Sequence, residues 1–190
     1  MPLLAAAAFA LILLLVILGF FVVTTYNDVV ALVRRCDKAW ANIDVALKQR
    51  HDELPNLVGA VRGVMGFEED VLTRLTQLRA QYNAFLTVAE HGALSAETTQ
   101  AIRSLFAVVE NYPDLKSQGN VAALQTEVER LEGIIADRRE LYNDQVYRYD
   151  ARIAQVPAAW LAGAFSWQAR EYFAASEGDR ARPDARLRPA

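Results

Sequence analysis

Cysteine and histidine are nearly missing from this sequence. Cys36 is the only cysteine, and His51 and His91 are the only histidines, among 190 residues. A single cysteine excludes an intramolecular disulfide and a cysteine-rich metal cluster. Its expected place is a small buried core position, the usual fate of a free thiol. Neither histidine has a glutamate three residues before it, so the Glu-x-x-His pairs of di-iron bundles are excluded, and no H-E-x-x-H zinc motif occurs. No G-x-S-x-G turn and no glycine-rich phosphate loop is present, which removes the common signatures of serine hydrolases and nucleotide binders. No cofactor is expected. Basic blocks are absent too: the net charge is −3, and nucleic acid, which needs a basic face, is not an expected partner. No stretch alternates at period two, so no sheet is expected.

What is present begins with a long apolar run. Leu3 to Thr25 carries no charge, and as a helix it is roughly 35 Å long, enough to cross a hydrocarbon core of about 30 Å. A cleaved secretory signal would need a basic start, a shorter apolar stretch and a small-residue cleavage site. None is found, since Phe20 to Tyr26 reads FFVVTTY, so a retained single-pass anchor over residues 1–26 is expected. Arg34, Arg35 and Lys38 follow the run and no basic side chain precedes it. By the positive-inside rule the anchor then sits in the cytoplasmic membrane with the N-terminus outside and the following domain in the cytoplasm.

Beyond the anchor, apolar residues recur in steps of four and three. One column is Val33, Trp40, Leu47, Leu54, Val61; its companion is Val29, Cys36, Ile43, Arg50, Leu57, Val64, broken only by Arg50. Such stripes bury one face of a helix against other helices and can also support self-association. No glycine or proline lies between Phe20 and Leu54, so the anchor helix is expected to run into the next one, with a kink near Pro55. Gly63 and Gly66 mark a turn. A second helix is expected from Glu68, Glu69 and Asp70, with Val71, Leu75, Leu78, Tyr82, Phe85 and Ala89 on its buried face, ending at His91-Gly92. A third is expected from Ser95 as N-cap, burying Ile102, Leu105, Phe106 and Val109, with a turn at Asn111-Tyr112-Pro113-Asp114. A fourth opens at Gly119-Asn120 and carries a stripe from Val121 to Val156. The fold class this predicts is all-α: one N-terminal transmembrane helix followed by an antiparallel up-and-down four-helix bundle over residues 27–175. Residues 157–173 are rich in aromatics and have three open placements: capping the bundle, forming a short helix against it, or touching the membrane surface. Packing is favoured, because basic residues are nearly absent there. Residues 176–190 mix Arg, Asp, Pro and Ala without periodicity and read as a disordered tail.

Particular residues carry more than a generic bundle. Ala39-Trp40-Ala41-Asn42-Ile43-Asp44-Val45, Leu47 to Asp52, and Pro55-Asn56-Leu57-Val58 resemble the signature of the LemA family. Tyr112 to Lys116, Leu124-Gln125, Glu129, Glu132, Arg139, Tyr142-Asn143 and Val146 follow in the same order. Asp150 stands where the family commonly has Asn, and Val156-Pro157 where it often has Phe-Pro. The resemblance implies a single-span membrane protein with an up-and-down four-helix bundle and its short N-terminus outside. It implies no established biochemical activity.

The polar cluster Arg50, His51, Asp52, Asn56, with Glu53 beside them, is the candidate partner-binding patch. The competing reading has Arg50 paired internally while its neighbours satisfy backbone groups at the Pro55 irregularity. Arg138, Arg139, Tyr142, Asn143 and Arg148 form a second polar set, and a partly buried Arg138 would need a carboxylate, with Glu68, Glu69 or Asp70 as candidates. The function this supports is a membrane-anchored interaction or scaffold protein without catalytic activity, its partners the bilayer and either another protein or further copies of itself. The alternative is a ligand- or metal-dependent sensor or enzyme with a site assembled from scattered residues such as Arg50, His51, Asp52, Glu68 and Tyr142.

Overall fold

Residues 2–62, 69–83, 85–113 and 119–173 are described in the computed structural model. The apolar run and the stepped columns after it form one helix, α1 (Pro2–Arg62). Its most apolar 18-residue window has a mean hydropathy of 3.1 and buries nothing, so this helix is long and apolar enough to cross a membrane. Pro55 does not interrupt α1: the helix continues through it to Arg62. The proline is exposed while Leu54, Leu57, Val58 and Val61 are buried. A mid-helix proline costs about 3 kcal/mol, whereas burying each aliphatic side chain contributes about 1.5–3 kcal/mol. The packed face therefore outweighs the lost hydrogen bond.

The other helices are α2 (Glu69–Gln81), α3 (Val88–Val109), α4 (Gly119–Ala154) and α5 (Ala158–Phe165), with no strand among the described residues. Gly63, Val64, Gly66, Glu68, Asp114 and the expected tail at 176–190 lie outside the described residues. The chain divides into two compact units, one of residues 1–38 and 144–170, the other of 39–143 and 171–190.

Of the single bundle domain expected over residues 27–175, residues 27–38 and 144–170 fall in the first unit; the second unit holds a helical bundle. Its core joins Leu54, Leu57 and Val61 of α1, Leu72, Leu75 and Leu78 of α2, Ile102, Leu105 and Val109 of α3, and Val121 and Val128 of α4. Side-chain contacts give the directions. Trp40 meets His91 and Arg50 meets Thr99, so α1 and α3 run the same way. Arg138 reaches the Asn42 carbonyl and Arg50 reaches Glu132, so α4 runs opposite to α1. Tyr82 meets His91 while Arg74 pairs with Glu97, so α2 runs opposite to α3. The topology is up-down-up-down.

The boundary between α2 and α3 differs from expectation. α2 ends at Gln81, not at His91-Gly92. The Asn83 side chain then accepts from the Phe85 backbone N–H at 2.7 Å, a local turn that competes with the helix. Phe85, expected in the core, is 97% exposed. Thr87 opens α3 with a capping box: its hydroxyl accepts from the Glu90 N–H at 3.2 Å and the Glu90 carboxylate accepts from the Thr87 N–H at 2.7 Å. His91, Gly92 and Ser95 are therefore buried residues within α3, and Ser95 is not its cap.

In the first unit, Val29 and Cys36 of α1 are buried, as are Val146 and Tyr149 of α4 and Ala158 of α5. Burial pushes the Cys36 thiol above its ordinary value. Arg152 pairs with Asp28 at 3.3 Å and Arg170 with Asp37 at 2.7 Å. α5 ends at Ser166, which adopts the left-handed conformation (φ 54°), and the Trp167 N–H donates to the Ala162 carbonyl at 3.0 Å. The chain then returns along α4: the Tyr149 hydroxyl donates to the Gln168 carbonyl at 3.0 Å, and the Arg170 N–H donates to Asp150 at 3.1 Å.

Candidate functional site

The interior of the bundle holds two polar constellations, and both begin on α1. Arg50 occupies the column of Ile43 and Leu57, so the helix carries its stem into the core. Its side chain is fully buried and is the only buried charge among the described residues. Nη1 donates to Glu132 Oε1 at 2.5 Å and to Thr99 Oγ1 at 3.0 Å; Nη2 donates to Ser95 Oγ at 3.0 Å and to the Ser95 carbonyl at 3.3 Å. The Thr99 hydroxyl in turn donates to Glu132 Oε2 at 2.8 Å. One guanidinium thus ties α1 to α3 and α4. Burial lowers the Arg50 pKa and Glu132 opposes that shift, but a guanidinium remains charged at any physiological pH. Nε has no hydrogen-bond partner among the described residues.

One residue on, His51 is also buried. Its Nδ1 donates to the Leu47 carbonyl at 2.9 Å, which leaves Nε2 deprotonated and without a partner among the described residues. The ring stacks on Tyr82 at 4.6 Å. His91 of α3 meets the same tyrosine at 5.4 Å and Trp40 at 5.3 Å. Trp40 also packs on Tyr142 and Phe173, at 5.7 and 6.1 Å. The Tyr82 hydroxyl donates to Asp44 Oδ1 at 2.6 Å. Desolvation lowers His51 to about 4 and lowers His91 as well, so both rings are neutral near pH 7. Desolvation, followed by the Asp44 hydrogen bond, raises Tyr82.

The four residues expected to form a partner patch are not brought to one surface. Arg50 and His51 point inward, whereas Asp52 and Asn56 are exposed and Asn56 donates to Glu53 at 2.9 Å. Arg50 does pair internally, with Glu132. The second polar set is likewise engaged in structure. Arg138 donates to the Asn42 carbonyl at 2.6 Å rather than to the carboxylates at the start of α2. The Tyr142 hydroxyl donates to the Glu171 carbonyl at 2.9 Å, and Asn143 exchanges hydrogen bonds with the Phe173 backbone. Arg148 pairs with Asp144 one turn earlier. Of the Arg50 partners, Ser95 was expected as a cap, Glu132 belonged to the family-like residues with no role attached, and Thr99 carried no sequence signal.

Two grooves lie between α3 and α4. One of about 430 Å³ is lined by Ile102, Arg103, Phe106, Val128 and Glu129 among others, and one of about 390 Å³ by Ser95, Arg103, Glu132, Ile135 and Arg139 among others. Thr99 and Glu132 border both. These walls are not made of Arg50, His51, Asp52 or Tyr142, and no group of three His, Cys, Asp or Glu among the described residues is arranged to hold a metal ion.

The chain is similar to known proteins. Magnetosome protein MamQ 2 and Magnetosome protein MamQ 1 of Paramagnetospirillum magneticum (strain ATCC 700264 / AMB-1) are each 36% identical over 73 residues, which is 38% of this chain and 27% of theirs. The match therefore spans about a quarter of the length of these curated relatives. The chain itself has one helix, α1, that is long and apolar enough to cross a membrane. The family model for the LemA family matches residues 39–186, which takes in the bundle and its polar interior, and the protein belongs to that family.

Proposed function

We propose that this protein is a membrane-anchored interaction or scaffold module that works by binding rather than by catalysis. The observation that carries the reading is the use made of Arg50. The charge buried in the bundle is taken up by Glu132, Thr99 and Ser95, so it fixes helix register and leaves the helices a rigid support for an outer surface. The face offered to a partner is the exposed side of α1, where Asp52 and Asn56 stand with Val45, Lys48 and Gln49. Its occupant is a second protein or a second copy of this chain. The anchor crosses the cytoplasmic membrane with the N-terminus outside and the bundle in the cytoplasm, as the basic residues Arg34, Arg35 and Lys38 favour.

The test is gentle detergent extraction of the full-length chain, native mass determination, and identification of what co-purifies, repeated with Asp52→Arg/Asn56→Arg. A stoichiometric companion or a defined self-assembly that the double variant loses, with helicity intact, supports the proposal. A bare monomer in both samples refutes it. A reporter fused after Ala190 that is active only outside the cytoplasm would reverse the orientation.

A second reading, a ligand-responsive sensor, is favoured by one observation: among the described residues, His51 Nε2 and His91 Nδ1 lack partners on either side of Tyr82. Titration of the full-length protein with Zn²⁺, followed through the imidazole NMR signals, tests it. Saturable shifts of both rings would favour this reading; unchanged rings would remove it.

A further inference from the structure

We propose that the segment around α5 is a second membrane contact, lying in the interfacial layer of the same bilayer that α1 crosses. The inference rests on the reading of α1 as an anchor.

Two ties set the depth of this segment. Arg152, near the end of α4, pairs with Asp28, the first charged residue after the apolar run. At the end of α5, the Phe165 ring and, two residues on, the Trp167 ring pack around Tyr26, at 5.0 and 6.2 Å, and stack on each other at 5.2 Å. Tyr26 and Asp28 are separated by only about 3 Å along α1. Both ends of the stretch from Ile153 to Phe165 are therefore held where the apolar helix leaves the hydrocarbon.

That stretch carries no charged side chain, and the next one after Arg152 is Arg170. α5 itself reads AAWLAGAF. One side of it turns inward: Ala158 is buried and Leu161 and Ala162 are half-buried. The opposite side presents Trp160, Gly163 and Ala164. Trp160 is 76% exposed, Val156 just before the helix is 60% exposed, and a Cβ built at Gly163 would meet nothing within 4 Å. A helix on a water-facing surface carries polar residues on its outer side; this one has none.

The occupant is the bilayer and not another protein because the anchor continues into this surface. A tryptophan on an apolar helix next to Tyr26, at the end of a spanning helix, fits the aromatic belt at membrane–water interfaces. A free interfacial helix needs basic residues to find an anionic surface. α5 has none and needs none, since α1 already holds it there.

The experiment uses full-length protein in phosphatidylcholine/phosphatidylglycerol vesicles. A nitroxide is placed by Trp160→Cys, with Leu15→Cys as the bilayer reference and Val45→Cys as the aqueous reference. Cys36 is changed to Ala, and the series is repeated with the buried native Cys36 retained. Collision rates with oxygen and with a water-soluble nickel chelate are measured. The expected result is an oxygen-to-nickel ratio for the Trp160 site several-fold above that of the Val45 site and below that of the Leu15 site. A ratio equal to the Val45 value, with Leu15 in lipid, overturns this proposal alone. Low collision rates with both reagents at the Trp160 site mean that protein covers it, which also overturns the proposal. If the Leu15 site is itself aqueous, the anchor reading fails and this inference fails with it.

Discussion

The buried pair Arg50–Glu132 makes a prediction that can be worked through. Glu132→Ala removes the only carboxylate, among the described residues, hydrogen-bonded to a guanidinium that is 0% exposed, and it also strips the Thr99 hydroxyl of its acceptor. Breaking a buried pair by removing one partner costs about 3–5 kcal/mol. The Glu132 side chain is 28% exposed, so water can partly replace the carboxylate, and the expected loss falls to about 2–3 kcal/mol. Ser95 still accepts from Nη2 and limits the loss further. Arg50→Met combined with Glu132→Leu removes both charges and keeps apolar volume, and should fall within about 1 kcal/mol of the parent. Arg50→Met and Glu132→Leu, made singly and together, then show a coupling energy of about 2 kcal/mol or more. The assay is urea unfolding of the full-length chain in a mild detergent, followed by far-ultraviolet circular dichroism. A Glu132→Ala loss below about 0.5 kcal/mol, or strict additivity in the cycle, would refute the claim that this pair ties the helices together.

Three further outcomes are expected. His51 is held near 4 against an ordinary 6.5 because its site is desolvated; the unfolded chain binds more protons between these values, so stability falls as pH drops from 6.5 towards 4, by up to roughly 3 kcal/mol. The urea midpoint should follow that window, and His51→Phe should flatten it, leaving the smaller slope of His91, which is lowered in the same direction. Thr87→Ala removes the capping box of α3 and should cost about 1 kcal/mol in the same unfolding assay, with no loss measured if the box contributes nothing. Ser166→Gly relieves a left-handed residue at the end of α5 and should raise stability by about 1 kcal/mol, read as a higher thermal midpoint.

Much of the bundle was legible because burial repeats with the helix period. Leu47, Leu54 and Val61 of the Val33 to Val61 column are in the core, with Val33 and Trp40 half-buried; the Val121 to Val156 stripe is in the core as far as Tyr149 except for the half-buried Leu124, and its last residue, Val156, is exposed. The α2–α3 junction was misread because Tyr82, Phe85 and Ala89 continue the helical spacing past the real end, and because His91-Gly92 looks like punctuation. The better signal was Thr87-x-x-Glu90, a capping box that local hydrogen bonding makes decisive. Arg50 stood out as the break in its stripe, but its partner lies 82 residues away. Only the three-dimensional packing of α1 on α4 selects Glu132 over other acids. His51 was expected beside Asp52 on a surface. In a four-helix bundle α1 is covered over a wider arc than two columns, and His51 and Val58, seven residues apart, form a third buried row beside the Leu47, Leu54, Val61 column.

Cys36 has no exposed surface, and burial raises its pKa, so the native chain holds its one thiol both hidden and protonated. The reactive form of cysteine is the thiolate. An alkylating reagent can reach Cys36 only when α1 and α4 separate around it, and the labelling rate then counts those openings. The protein thereby carries its own clock for local unfolding, one that is read in intact membranes without any substitution.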